Sequence, residues 1–119
     1  MTQFPMTLLA AAAGGALGAS LRYAFLYFVQ GGALGILCLN VGGSLALGFL
    51  FASGEGRSEF WTIFFGAGLL GALTTFSTFS ADAVRLFVAN PVQSALYIAA
   101  SVVLAITAFV IGLMLARAL

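Results

Sequence analysis

Charge is missing from long stretches of this chain, and that constrains its fold more than any motif does. Residues 4–29, 33–52, 61–89 and 92–116 form four apolar runs separated by turn residues. Runs of that length with so few charges read as transmembrane helices. Gln30-Gly31-Gly32 ends the first run, the polar stretch 53–60 separates the second from the third, and Asn90-Pro91 punctuates the third. Hydrophobic residues make up 63% of the chain and charged residues 6%, against about 25% charged in a soluble domain. So little polar surface cannot cover so much apolar surface, and the solvent for most of the chain is therefore lipid. Open sheets leave backbone groups unpaired in lipid, and the alternation of a membrane barrel strand is missing, so the expected fold class is all-α. The expectation is a single transmembrane domain, residues 1–119, with no soluble domain. The first run lacks a basic leader and a small-residue cleavage site, and reads as a retained helix instead of a signal peptide.

Several function classes drop out on the same grounds. A net charge of +1 leaves no electrostatic footprint for nucleic acid. Cys38 is the single cysteine, which forbids an internal disulfide and reads as a small buried hydrophobe. With no His, no metal-ligand cluster and no base beside a nucleophile, the chain does not read as an enzyme. The glycine-rich pairs Gly14/Gly18, Ser44/Gly48 and Ala67/Gly71 put small residues on one helix face, as helix packing in membranes requires. Tyr23, Tyr27, Trp61 and Tyr97 suit interfacial aromatic belts.

Orientation is evenly balanced. With four spans, Arg57 and Arg117 fall on one side and Arg22 and Arg85 on the other, so the basic residues give the insertion machinery no clear instruction. Two readings stay open: one orientation set by weak cues, or insertion both ways with pairing of inverted copies.

The third run differs from the others. As a straight helix, residues 61–89 would extend about 43 Å against a hydrocarbon core of about 30 Å. Its middle reads Gly71-Ala72-Leu73-Thr74-Thr75-Phe76-Ser77-Thr78-Phe79-Ser80. Ser and Thr compete for backbone hydrogen bonds and β-branching disfavours helix, so this string predicts a break centred on Thr75, near the bilayer midplane. Irregular backbone at that depth must be buried in protein or line a polar cavity. Unwound carbonyls there suit a hard cation, and a half-helix N-terminus suits an anion. A tilted intact helix, with hydroxyls bonded back to the preceding turn, is the alternative. If inverted copies pair, a central break can meet its counterpart across the twofold axis.

At these residues the chain resembles the Fluc (CrcB-type) family of bacterial fluoride ion channels. The similarity covers essentially the whole sequence and rests on the 71–80 string, on Gly14-Gly15-Ala16-Leu17-Gly18-Ala19-Ser20-Leu21-Arg22-Tyr23, and on Asn40-Val41-Gly42-Gly43. The resemblance implies a dual-topology antiparallel homodimer in the bacterial cytoplasmic (inner) membrane, exporting fluoride passively through two pores. It implies a structural sodium ion held by the backbone carbonyls of Gly71 and Thr74 from each subunit. It further implies that Phe76 and Phe79 face the fluoride paths, that Asn40 is the polar pore residue of the second helix, and that Tyr97 and Ser101 line the pore from the fourth. The chain departs from the family pattern at Ile36 and Ala105, where hydroxyl residues are usual, which implies a thinner polar track.

The residues support such chemistry on their own terms. Fluoride is strongly hydrated, and a path for it must replace water with donors. Asn40 carries amide N–H groups, while Ser77, Thr78 and Ser101 carry hydroxyls. The positive ring edges of Phe76 and Phe79 can face an anion. Against this, Asn40 also fits a plain interhelical hydrogen bond and the phenylalanines fit packing. Arg22 either snorkels to an interface or concentrates anions at a vestibule. Asp82 and Arg85 are spaced to pair at the end of the third span. The rival function is a small dual-topology multidrug-type transporter, which needs an acidic residue within the membrane; here only Asp82 falls inside a run, toward its end.

Overall fold

The computed structural model describes residues 3–119 and is helical throughout, with no strand among those residues. Its elements are α1 (Gln3–Val29), α2 (Gly32–Ser53), α3 (Glu59–Ile63), a π-helical segment (Phe64–Leu70), α4 (Gly71–Leu73), α5 (Phe76–Ala89) and α6 (Pro91–Ala118). Taken as spans, Gln3–Val29, Gly32–Ser53, Glu59–Ala89 and Pro91–Ala118 are each long and apolar enough to cross a membrane. The longest dimension, 50 Å, exceeds the roughly 40–45 Å of a bilayer with its headgroups.

Local chemistry sets the ends of these helices. Gln30 adopts a left-handed conformation, φ 51°, and its N–H closes on Leu26 O at 3.0 Å, a C-terminal stop for α1. The second link is shorter than the polar stretch suggested, because Ser58 caps α3 by accepting from the Trp61 N–H and Glu59 is already helical. Asn90 ends α5 and starts α6: its side-chain oxygen accepts from the N–H groups of Val92 and Gln93, and Pro91 occupies the first turn.

The third span is irregular. Its first half passes through seven residues of π-helix, and its backbone turns extended at Thr74 (φ −85°, ψ 156°) and Thr75 (φ −151°, ψ 128°). Helix resumes at Phe76, with the Thr75 hydroxyl accepting from the Thr78 N–H at 3.2 Å. The π-helical segment packs against α1.

The most extensive helix contact joins α2 to α6. It depends on Gly48 and Gly112, since a Cβ on Gly48 would run into the Phe109 carbonyl and one on Gly112 into the Leu45 carbonyl. Backbones that close recover the packing energy that lipid cannot supply as a hydrophobic force. Of the small-residue pairs, Gly14 and Gly18 are buried against the third span, whereas Ala67 and Gly71 are exposed on the single chain. Two burial expectations are corrected. Cys38 is exposed, because its face of α2 looks away from the other helices. Tyr97 is buried against Ile36, Phe79 and Ala83, whereas Tyr23, Tyr27 and Trp61 are exposed as belt residues would be.

Candidate functional site

The extended residues Thr74 and Thr75 expose backbone groups that an α-helix would have consumed, and α2 meets them with Asn40. The Asn40 amide pairs with both sides of one peptide residue. Its nitrogen donates to the Thr75 carbonyl at 3.0 Å, and its oxygen accepts from the Thr75 N–H at 2.8 Å. This double bond fixes the amide orientation and leaves one of its two N–H donors uncommitted. Gly43, one turn along α2, is buried beside Thr74, whose methyl group would collide with a Cβ there.

The same pairing changes what happens to two carbonyls. The Thr75 N–H would close a helical turn on Gly71 O, but it donates to Asn40 instead. The Thr78 N–H would close on Thr74 O, but it donates to the Thr75 hydroxyl. Gly71 and Thr74 therefore present carbonyl oxygens without their usual helical donors. Thr74 turns its own hydroxyl back to Leu70 O at 3.0 Å.

These groups line a groove of about 510 Å³. One wall is Gly71, Thr74, Thr75, Phe76 and Phe79; α2 contributes Asn40 and Ser44; α6 contributes Ser101 and, one turn on, Ala105. The two phenylalanines separate. Phe79 is 7% exposed and packed inside the chain, whereas Phe76 is 78% exposed on its outer face, although their ring centroids lie only 5.3 Å apart. Phe79 stands equally close to the Tyr97 ring, at 5.3 Å, and Ile36 packs into the same cluster.

The Tyr97 and Ser101 hydroxyls are buried, and neither has a hydrogen-bond partner among the described residues. Buried donors are nearly always paired, so two orphans on successive turns of one helix point to a partner from outside the chain. Ser94, one turn earlier, is satisfied by the Ala83 carbonyl at 2.6 Å.

Not every candidate converges here. The Ser77 and Thr78 hydroxyls sit 3.2 Å and 3.3 Å from the Thr75 hydroxyl, within the cap of α5, and neither lines the groove. Arg22 is half-buried on α1 and also lies outside it. Asp82 and Arg85 do pair, at 3.3 Å, with the carboxylate buried and the guanidinium exposed. Two polar groove residues went unassigned in the sequence: Thr75 as the partner of Asn40, and Ser44. Ser44 carries a legible signal, since it follows Asn40 by one helical turn on the same face. Thr75 carries none, because its role depends on backbone groups.

The chain is similar in sequence to known proteins. The sequence profile of the family described as "CrcB-like protein, Camphor Resistance (CrcB)" matches residues 9–113. A protein of Roseobacter denitrificans named fluoride-specific ion channel FluC is 42% identical, covering 93% of this chain and 95% of the relative. A protein of the same name from Rhodopseudomonas palustris is 41% identical, covering 96% and 99% respectively. Fluoride-specific ion channel FluC 1 of Rhodococcus jostii is 43% identical over 87% of this chain and 79% of its own length.

Proposed function

This chain belongs to the CrcB-like (Fluc) family, and from that premise we propose that it is a fluoride-selective channel that lets fluoride leave the bacterial cytoplasm passively. The observation that carries the reading is the pair of buried, unpartnered hydroxyls at Tyr97 and Ser101, the latter opening on the groove that holds Asn40. A small anion accepts hydrogen bonds and donates none. Its path must therefore offer free donors and few free acceptors.

The free N–H of Asn40 and the hydroxyls of Ser101 and Tyr97 replace water around the ion, and the ring edges of Phe76 and Phe79 supply further positive potential. Asn40 does this from a rigid position, because its other N–H and its oxygen are tied to Thr75. Ile36 and Ala105 add no donors, so the track consists of few groups. Ser77 and Thr78 contribute through the cap that holds the start of α5, and Arg22 acts outside the groove, at a vestibule.

The functional unit is an antiparallel, dual-topology homodimer with two pores, its third spans broken at their centres and meeting there. The exposed Phe76 ring and the open side of the groove suit a second copy. A structural sodium ion fits the donor set, since the carbonyls of Gly71 and Thr74, lacking their helical donors, are hard, neutral oxygen ligands. Four such oxygens from two copies would hold it, and the ion would supply a fixed positive charge at the dimer centre.

Fluoride efflux from liposomes containing the purified protein tests the conduction claim. Fluoride release without chloride release is expected, and no fluoride flux from a folded dimer would overturn it. Topology is tested in whole cells by labelling a single Cys placed in the 54–58 link, with Cys38 replaced by Ser. Labelling from both faces is expected, and one-sided labelling rejects the inverted pair.

A further inference from the structure

Most serines and threonines of these helices spend their hydroxyls on the chain itself. Ser20, Ser53 and Ser80 donate back to the carbonyls of Ala16, Phe49 and Phe76 at 2.7, 2.8 and 2.8 Å, as helical hydroxyls in lipid commonly do. Ser44 and Ser101 are exceptions. Among the described residues neither hydroxyl makes a hydrogen bond, and both line the Asn40 groove. Ser101 belongs to the anion path described above, whereas half-buried Ser44 has no part in it so far.

Packing fixes what stands opposite Ser44. Ile36 and Tyr97 share one buried cluster, and further along α2 a Cβ on Gly48 would run into the Phe109 carbonyl. The second and fourth spans therefore run side by side in the same direction. Turn by turn between those two contacts, Asn40 falls level with Ser101 and Ser44 with Ala105. Each step is four residues, about 6 Å along the helix. At the Ser44 level α6 offers only a methyl group, with Val102 and Ile106 lining the groove beside it. The third span adds no donor, because the Thr74 hydroxyl is spent on Leu70 O and the Thr75 hydroxyl on the Thr78 cap.

We propose that Ser44 is a further anion-binding residue, the donor that takes fluoride past the Asn40–Ser101 level on the side where α6 has Ala105. The inference rests on the reading of this groove as a fluoride path. An anion held between Asn40 and Ser101 has the Tyr97 hydroxyl one turn away on one side. On the other side Ser44 is the uncommitted side-chain donor among the groove residues. Its hydroxyl turns freely to follow an ion, whereas the Asn40 amide is tied to Thr75.

Fluoride efflux from liposomes is compared for the wild type, Ser101→Ala, Ser44→Ala and the double variant Ser44→Ala/Ala105→Ser. Ser44→Ala should slow efflux about tenfold, the loss of one hydrogen bond to an ion, with unchanged elution volume and unfolding midpoint. The double variant should recover most of that loss, since it returns a hydroxyl to the same level from the facing helix. Wild-type efflux in Ser44→Ala beside slowed Ser101→Ala overturns this inference and leaves the fluoride path standing. A double variant no faster than Ser44→Ala also overturns it. So does a smaller assembly or a lower unfolding midpoint in Ser44→Ala, which would give the hydroxyl to a second copy. Absence of fluoride efflux from the wild type would instead overturn the channel reading, and this inference with it.

Discussion

Replacing Asn40 with Ala removes one side chain and disturbs two helices. In the native chain the amide satisfies both the N–H and the carbonyl of Thr75, at 2.8 and 3.0 Å. The substitution leaves both backbone groups facing a cavity, and each unsatisfied buried group costs about 1–3 kcal/mol. Interhelical hydrogen bonds in membranes measure lower, averaging about 0.6 and reaching about 1.7 kcal/mol, because the unfolded chain in lipid also finds partners. A loss of about 1–3 kcal/mol of folding stability is therefore expected, read from denaturant unfolding in micelles. The anion separately loses the free Asn40 N–H. A hydrogen bond to a charged partner is worth about 1.5–3 kcal/mol, so fluoride flux should fall by about tenfold or more. Asn40→Asp sharpens the test. It keeps the acceptor for the Thr75 N–H but sets an oxygen against the Thr75 carbonyl and a negative charge in the groove, so its flux should fall further than that of Asn40→Ala. The reasoning is refuted if Asn40→Ala keeps wild-type flux and wild-type stability.

Tyr97→Phe and Ser101→Ala each delete a hydroxyl that has no partner among the chain's described residues. Folding stability should stay level or rise, while fluoride efflux falls by about tenfold, the loss of one hydrogen bond to an ion; unchanged efflux would mean that the orphan hydroxyls face no anion. Phe79→Ile replaces a buried ring by a smaller apolar side chain beside Tyr97. The dimer should survive by gel filtration while efflux is nearly abolished, and normal flux would remove the ring-edge role. Gly48→Leu forces a side chain into the Phe109 carbonyl, and overpacking costs about 1–3 kcal/mol; a wild-type unfolding midpoint would show that the α2–α6 contact is not set by backbone approach.

The sequence by itself determined the spans and their solvent. In lipid every backbone group must be satisfied within a helix or a closed barrel, and an apolar run without strand alternation leaves only the helix. The turn chemistry at residues 30–32 and at Asn90-Pro91 was legible for the same local reason, as was the pairing of Asp82 with Arg85 three residues on. The unusual composition around Thr75 also marked where the backbone turns extended. Which face of α1, α2 and α6 turns inward was not legible, because these three helices are apolar nearly all round and offer no polar stripe to exclude. Tertiary packing decided that Tyr97 is buried and Cys38 is exposed, and it divided Phe79 from Phe76. It also decided that Asn40 is spent in part on Thr75, a residue 35 positions away. That pairing needs the carbonyl and N–H of an extended residue brought against α2. No local pattern encodes it, and only the packed helices create it.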